Sequence, residues 1–325
     1  MNLHLSRRRF VGAAAATVAA PLVHAQAAWP TAKPIALTVG LQAGTGSDVA
    51  ARNLAEKVSA AIGQQIVVNA VPGAAGLLAA QQGAKAAPDG YSLVALSGAA
   101  VTTLPHLQKG DNPARNLVPI AMVVSFPSVI SVNAKVPAQN IREFIELVKK
   151  NPGKYTYASG GNGSVQHTAM EQLKAMAGLN LLHVPYKGMA QATTDLVGGQ
   201  VDSAIQGVVA VIPFAKTGQV RPLAWTGQRR NPLYPDLPTL HEAGVTGYNF
   251  QSWTALFGPA GLPRDIVTRL NAEFRKAAAA PDLKARWAEQ AMEYLDMSPE
   301  QIADLVKLES DQMARLVRDV GIKMD

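Results

Sequence analysis

The chain has 325 residues, no cysteine, and 30 basic against 23 acidic residues, a formal charge of +7. Without cysteine there are no disulfides, no thiolate metal sites and no lipid-modified leader. The basic residues are scattered along the chain, so no nucleic-acid groove is read from them.

The first residues carry an address. Arg7-Arg8-Arg9 precede an apolar run from Val11 to Ala20, and small residues follow around Ala25 and Ala27. This order is that of an export leader over residues 1–27, cleaved near Ala25 or Ala27. The run is too short and too rich in alanine for a membrane anchor, which takes about 20 strongly apolar residues. Ser6-Arg7-Arg8-Arg9-Phe10-Val11 resembles a twin-arginine signal, although a general secretory leader also tolerates several arginines. Removing the three leader arginines leaves 27 basic and 23 acidic residues, a mild balance of +4. No later segment reaches 18 apolar residues, so the expectation is an exported protein free in the periplasm. A length of this order divides into two domains.

From residue 35 onward one pattern recurs: a short β-branched run, a Gly/Ser/Asn turn, then an amphipathic stretch. Residues 35–39 lead through Gly44-Thr45-Gly46-Ser47 into a helix over about 48–62. Residues 65–68 lead through Pro72-Gly73 into a helix at 77–86, and residues 91–96 lead into Ser97-Gly98. Residues 155–158 lead through Ser159-Gly160-Gly161-Asn162-Gly163-Ser164 into a helix at 165–177. His183-Val184 precede Pro185-Tyr186-Lys187-Gly188 and a helix at 189–197, and Val201 to Ile205 follow as a strand. Alternating strands and helices predict an α/β fold with mostly parallel sheets and helices on both faces. Right-handed crossovers then put every strand-to-helix turn on one sheet edge, where open α/β sheets bind ligands.

Residues 119–133 form a long apolar run interrupted by Pro127, and residues 220–226 and 250–258 are extended and aromatic. These read as crossings between two lobes: 28–124 with 228–325, and an inserted 125–227. Three helices close the chain, each opening on proline at 263, 281 and 299, a helix-start signal. They are expected on the outer face of the first lobe. Trp29, Trp225, Trp253 and Trp287 are read as core, with Trp225 and Trp253, at the crossings, the two open to a second reading as ligand platforms.

Several strings together are similar to the Bug-type receptors, the solute-binding component of tripartite tricarboxylate transport systems. They are Trp29-Pro30 with Lys33-Pro34-Ile35, Asp48 with Ala51-Arg52, Pro72-Gly73-Ala74 with Gly76, and Ala87-Pro88-Asp89-Gly90-Tyr91. Gly161-Asn162-Gly163-Ser164 with His167, His183 to Gly188, and Asp195 to Asp202 complete the set. The resemblance covers nearly all of the chain after the leader. It implies a two-lobed type II periplasmic binding protein fold, a small carboxylate held between the lobes, and membrane permease subunits as partners. It implies no cofactor, no metal and no catalytic residue, and a monomer is expected.

Such an acid can be held without arginine. Amides at a helix N-terminus point outward unpaired, the helix dipole adds about half a positive charge, and glycine permits close approach. Gly44, Thr45 and Ser47 on one side and Asn162, Gly163 and Ser164 on the other suit that use; a plain turn with a serine cap would read the same. Ser97 and Ser159 stand at the corresponding turns. The resemblance adds Asp48, as an orienter of a ligand donor, and His167, Tyr186 and Asp202 near the cleft. The chain departs from the family's pattern at Ala43-Gly44-Thr45, where a Pro-Gly-Gly is usual, and at Gln206-Gly207, where a polar pair such as Asp-Asn is common. Gln206 thus presents an amide, both donor and acceptor, at a candidate ligand position.

Two rivals remain at this stage. A sensor lobe feeding a signalling partner would have the same sequence features. A hydrolase would need Ser164, His167 and Asp202 as a triad, but serine and histidine three apart on one helix start are poorly disposed for it, and no Gly-x-Ser-x-Gly elbow exists. His106, His167, His183 and His241 show no metal-binding spacing.

Overall fold

The structure is a computed structural model; it describes residues 29–107, 110, 112–162 and 164–320. The leader, with its cleavage site, and Gly163 lie outside the described residues.

In chain order the first unit runs β1 (Ile35–Val39), α1 (Gly46–Ile62), β2 (Ile66–Ala70), α2 (Leu77–Ala84) and β3 (Ser92–Ser97). Two short helices follow, α3 (Gly98–Thr102) and α4 (Leu104–Leu107), and then β4 (Leu117–Phe126). The second unit holds β5 (Ser128–Asn133), α5 (Ile141–Lys150), β6 (Thr156–Ser159), α6 (Val165–Ala177), β7 (Leu182–Pro185) and α7 (Met189–Gly198). It continues with β8 (Ser203–Gly207), α8 (Val208–Lys216) and β9 (Val220–Trp225). The chain returns through β10 (Ser252–Pro259) to α9 (Arg264–Ala278), α10 (Pro281–Glu289) and α11 (Pro299–Val320).

Two five-stranded sheets result, ordered β2-β1-β3-β10-β4 and β7-β6-β8-β5-β9. In each, four strands run the same way and one, β10 in the first and β5 in the second, runs against them. The antiparallel strands β5 and β10 are the ones on which the chain enters each sheet from the other, because a strand that arrives from the other lobe needs no helical crossover. Only Pro127 separates β4 from β5. The return is longer: Leu240, Ala243, Val245 and Tyr248 still pack in the core of the second sheet before β10 begins.

Both sheets are covered on both faces, so the inner strands β3, β5 and β10 are buried almost throughout, while the edge strands β2 and β7 stay partly exposed. Ile35, Leu37 and Val39 pack with α1, α9 and α10, while Val94, Leu96, Ala255 and Phe257 face α2, α3 and α11. The three closing helices therefore do not share the outer face. Helices α9 and α10 lie on one side of the sheet, and α11 lies on the other, because Ile302 and its neighbours complete the apolar stripe left open beside α3. In the second sheet α5 and α6 cover one face and α7 and α8 the other. Trp225, Trp253 and Trp287 are buried, at 1%, 2% and 2% exposure, and Trp29 is partly buried.

Candidate functional site

In a parallel unit the C-terminal strand ends share an edge with the helix N-termini that follow. In the first lobe that edge carries the β1–α1 and β3–α3 turns; in the second it carries the β6–α6 and β7–α7 turns and the end of β8. A cavity of about 240 Å³ is lined both by Ser97, Gly98 and Ala99 and by Val165 and Thr168, so the two edges face each other.

Helix α1 starts two residues earlier than its serine suggests. Thr45, in extended conformation, is the cap: its hydroxyl accepts from the Asp48 N–H at 3.4 Å and donates to the Gln42 carbonyl at 2.8 Å. The Ser47 hydroxyl is bonded to Thr254 on β10 at 2.8 Å and is buried. The Gly44 N–H donates to Asp48 Oδ2 at 2.9 Å. Asp48 also takes both arms of Arg52, at 3.0 Å each. Burial pushes its pKa up, but the hydrogen bonds from Arg52 and Gly44 outweigh that and leave it lowered. Asp48 is thus a satisfied carboxylate that pins the loop to α1. The amides of Gly46 and Ser47, in the first turn of α1, are the ones whose position suits an anion.

Ser97 caps α3, accepting from the Ala100 N–H at 3.3 Å. On the second lobe Ser164 caps α6 by accepting from the His167 N–H at 3.3 Å. That bond uses an oxygen lone pair and leaves the hydroxyl hydrogen to donate elsewhere. Asn162 stands half-buried in the preceding turn. Behind the turn lies a polar stack. The His167 and His183 rings are parallel with centroids 4.1 Å apart, and His183 stacks on Tyr157 at 4.7 Å. Ser159, fully buried, meets His183 Nε2 at 2.6 Å and bonds the Gly161 backbone in both directions at 3.1 Å. Tyr157 donates to Glu171, which Lys174 neutralises at 2.5 Å. Burial and then Glu171 raise the Tyr157 pKa. Ser159 and His167 therefore shape the loop from behind.

Tyr186 donates to Asp195 Oδ2 at 2.8 Å along α7, and burial together with Asp195 pushes its pKa up to about 12. Gln206, 3% exposed near the end of β8, accepts from Thr193 at 2.8 Å, and its Nε2 is buried without a partner. Asp202 is not brought to this edge. It precedes β8, at the N-terminal end of the parallel strands, and clasps Thr156: Oδ2 accepts from the Thr156 amide and hydroxyl at 2.8 Å. About 3.3 Å per residue separates it from the other end of the strand. Ser164, His167 and Asp202 hence form no triad.

Trp253 and a residue to which the sequence gives no sign of function, Glu309, line the cavity. The Trp253 indole N–H lies 3.0 Å from each oxygen of Glu309 on α11. Burial raises the Glu309 pKa to about 7, against the pull of the Trp253 hydrogen bond. Trp253 also explains Gly98, where a Cβ would stand 2.6 Å from the indole. Fifty-six residues separate the pair, so no local motif announces it. Among the described residues no group of His, Cys, Asp and Glu could hold a metal ion, and no helix is long and apolar enough to cross a membrane.

Known proteins match this chain almost end to end. A "UPF0065 protein in tcbD-tcbE intergenic region" from Pseudomonas sp. (strain P51) is 35% identical over 97% of this chain and 94% of its own length. The solved structure of R. palustris Rpa4515 with adipate is 30% identical with a TM-score of 0.73, covering 91% of this chain and all of that one. MatC from Rhodopseudomonas palustris with bound malate is 27% identical with a TM-score of 0.68, covering 88% of this chain and 99% of that one. The model of the TctC family, described as tripartite tricarboxylate transporter family receptor, matches residues 50–322. Sequence, two-sheet topology and extent of match agree, and the chain belongs to the TctC family of tripartite tricarboxylate transporter receptors.

Proposed function

We propose that this receptor works in the periplasm, where it captures a small carboxylate between its lobes and delivers it to the permease subunits of a tripartite transporter. The observation that carries the reading is the pair of helix N-termini, α1 and α6, presented from facing edges. Their first-turn amides and the Ser164 hydroxyl offer hydrogen bonds to an anion without any cationic side chain. Two relatives solved with adipate and malate bind acids in the same fold.

In this reading the units exchange across two crossings, Pro127 and the segment before Ser252, so closure of the lobes over the acid excludes water. Gln206 is the neutral donor that replaces a family carboxylate. Export removes residues up to Ala25 or Ala27, and the mature chain is a monomer.

Thermal-shift screening of small carboxylates against neutral sugars and organic cations tests the ligand class. A ligand at about 100 times its Kd should add roughly 2.7 kcal/mol of stability. Stabilisation by sugars or cations with none by any acid overturns the assignment. N-terminal sequencing of periplasmic protein tests the address: a bulk product that retains Arg7–Arg9 overturns it.

A further inference from the structure

The cavity beside Ser97 and Val165 runs away from the helix N-termini toward α11. Its walls are mainly apolar, with Phe250, Trp253, Met176 and Met313 prominent. At about 240 Å³ it is below the usual size for a drug-like ligand, roughly 300–1,000 Å³, and suits one ring or a short chain. Methionine side chains adapt to such a body.

Thr102, Thr103, Gln172 and Gln251 are among its polar lining groups, and two others present buried acceptors. Glu309 offers two carboxylate oxygens, already sharing the Trp253 N–H, and the Asn249 Oδ1 is buried without a partner. Arg315, the cation at the lining, is solvent-exposed, so water and salt screen it. Above about pH 7, where Glu309 is ionised, a second carboxylate pushed inward would meet its charge in an apolar setting, where like charges repel strongly.

We propose that this cavity receives the far end of the bound acid and selects a monocarboxylate with an apolar body ending in a hydrogen-bond donor. The inference rests on the carboxylate reading above. The acid group stays at α6, the body lies against Trp253 and the two methionines, and a hydroxyl, amide or ammonium reaches Glu309 and Asn249. A site built for a donor discriminates against an analogue that lacks it, because its acceptors are then left unpaired.

Calorimetric titration of the whole chain with 3-(4-hydroxyphenyl)propanoate, 3-phenylpropanoate and adipate tests this. The hydroxylated aryl acid should bind about tenfold tighter than its deoxy analogue and more than about tenfold tighter than adipate. Glu309→Gln should remove most of the penalty on adipate, raising its affinity by about tenfold. Ala175→Trp, on an exposed wall position, should weaken the aryl acids by at least about tenfold without changing the unliganded melting temperature. Adipate binding as tightly as the aryl acids, with no response to Glu309→Gln, overturns the selection while leaving the carboxylate reading intact. Aryl-acid affinity unchanged in Ala175→Trp removes the cavity from the site. If sugars or cations bind and none of the three acids does, the carboxylate reading falls and this inference with it.

Discussion

Gly98 opens α3 directly beneath the Trp253 indole. The shortage there is of space and not of backbone freedom, since a Cβ would lie 2.6–2.9 Å from three indole atoms. Trp253 is 2% exposed and tied to Glu309, so it cannot swing aside cheaply. Gly98→Ala should cost about 1–3 kcal/mol by overpacking and shift the tryptophan emission. Chemical denaturation followed by fluorescence measures both; unchanged stability and emission would mean that the indole yields freely. Glu309 gives a second residue-scale expectation, and its sign follows from the direction of the shift. Its folded-state pKa of about 7 lies above the ordinary 4.5, so the folded chain holds the proton more tightly between those values. The stability from that proton is complete below 4.5 and is lost as pH rises through about 7. Glu309→Gln, neutral throughout, should therefore gain on the parent chain as pH rises across this window, by up to roughly 3 kcal/mol. Urea melts of both proteins across the window measure the gap, and a gap that does not grow with pH contradicts the burial of the carboxyl.

Capping separates structure from binding at the scale of elements. Thr45 and Ser164 each cap a helix that faces the cleft, and replacing either with alanine should cost about 0.5–2 kcal/mol of stability. Their effects on affinity should differ. The Thr45 hydroxyl hydrogen goes to the Gln42 carbonyl, so Thr45→Ala should leave ligand affinity within about twofold. The Ser164 hydrogen is not used in its cap, so Ser164→Ala should also weaken acid binding by about tenfold. Parallel melting and titration of the two variants decides it, and equal affinities would make Ser164 a cap alone. The same elements show what the sequence can and cannot convey. Helices α6, α9, α10 and α11 were legible to within a residue or two, because Ser164, Pro263, Pro281 and Pro299 mark their starts locally. Helix α8 gave no such sign: it begins straight after Gly207, is apolar on most sides and carries Pro213 inside. The family resemblance puts Asp202 near the cleft. It sits at the N-terminal end of β8, and only the direction of the parallel strands reveals which end meets the ligand edge. The Glu309–Trp253 pair was illegible for a different reason: α11 meets the start of β10 only after the chain has folded, and each residue alone resembles an ordinary helix acid or core aromatic.

The whole molecule carries one more consequence, in the order of its assembly. Strand β10 lies between β3 and β4 in the first sheet, yet it is made only after the entire second lobe. Residues 128–250, by contrast, form a contiguous stretch with their own sheet and core. Contacts between residues close in sequence form sooner, because less chain entropy is lost in closing each loop. The second lobe should therefore fold first and the first lobe last. As the chain is made, β1, β2 and β3 wait with their edge unpaired until residue 259 is available, and this is when the chain is most open to aggregation. Pulse-labelled hydrogen exchange during refolding should find the amides of β5, β6 and β8 protected before those of β1 and β3; simultaneous protection would mean that the lobes fold as one cooperative unit.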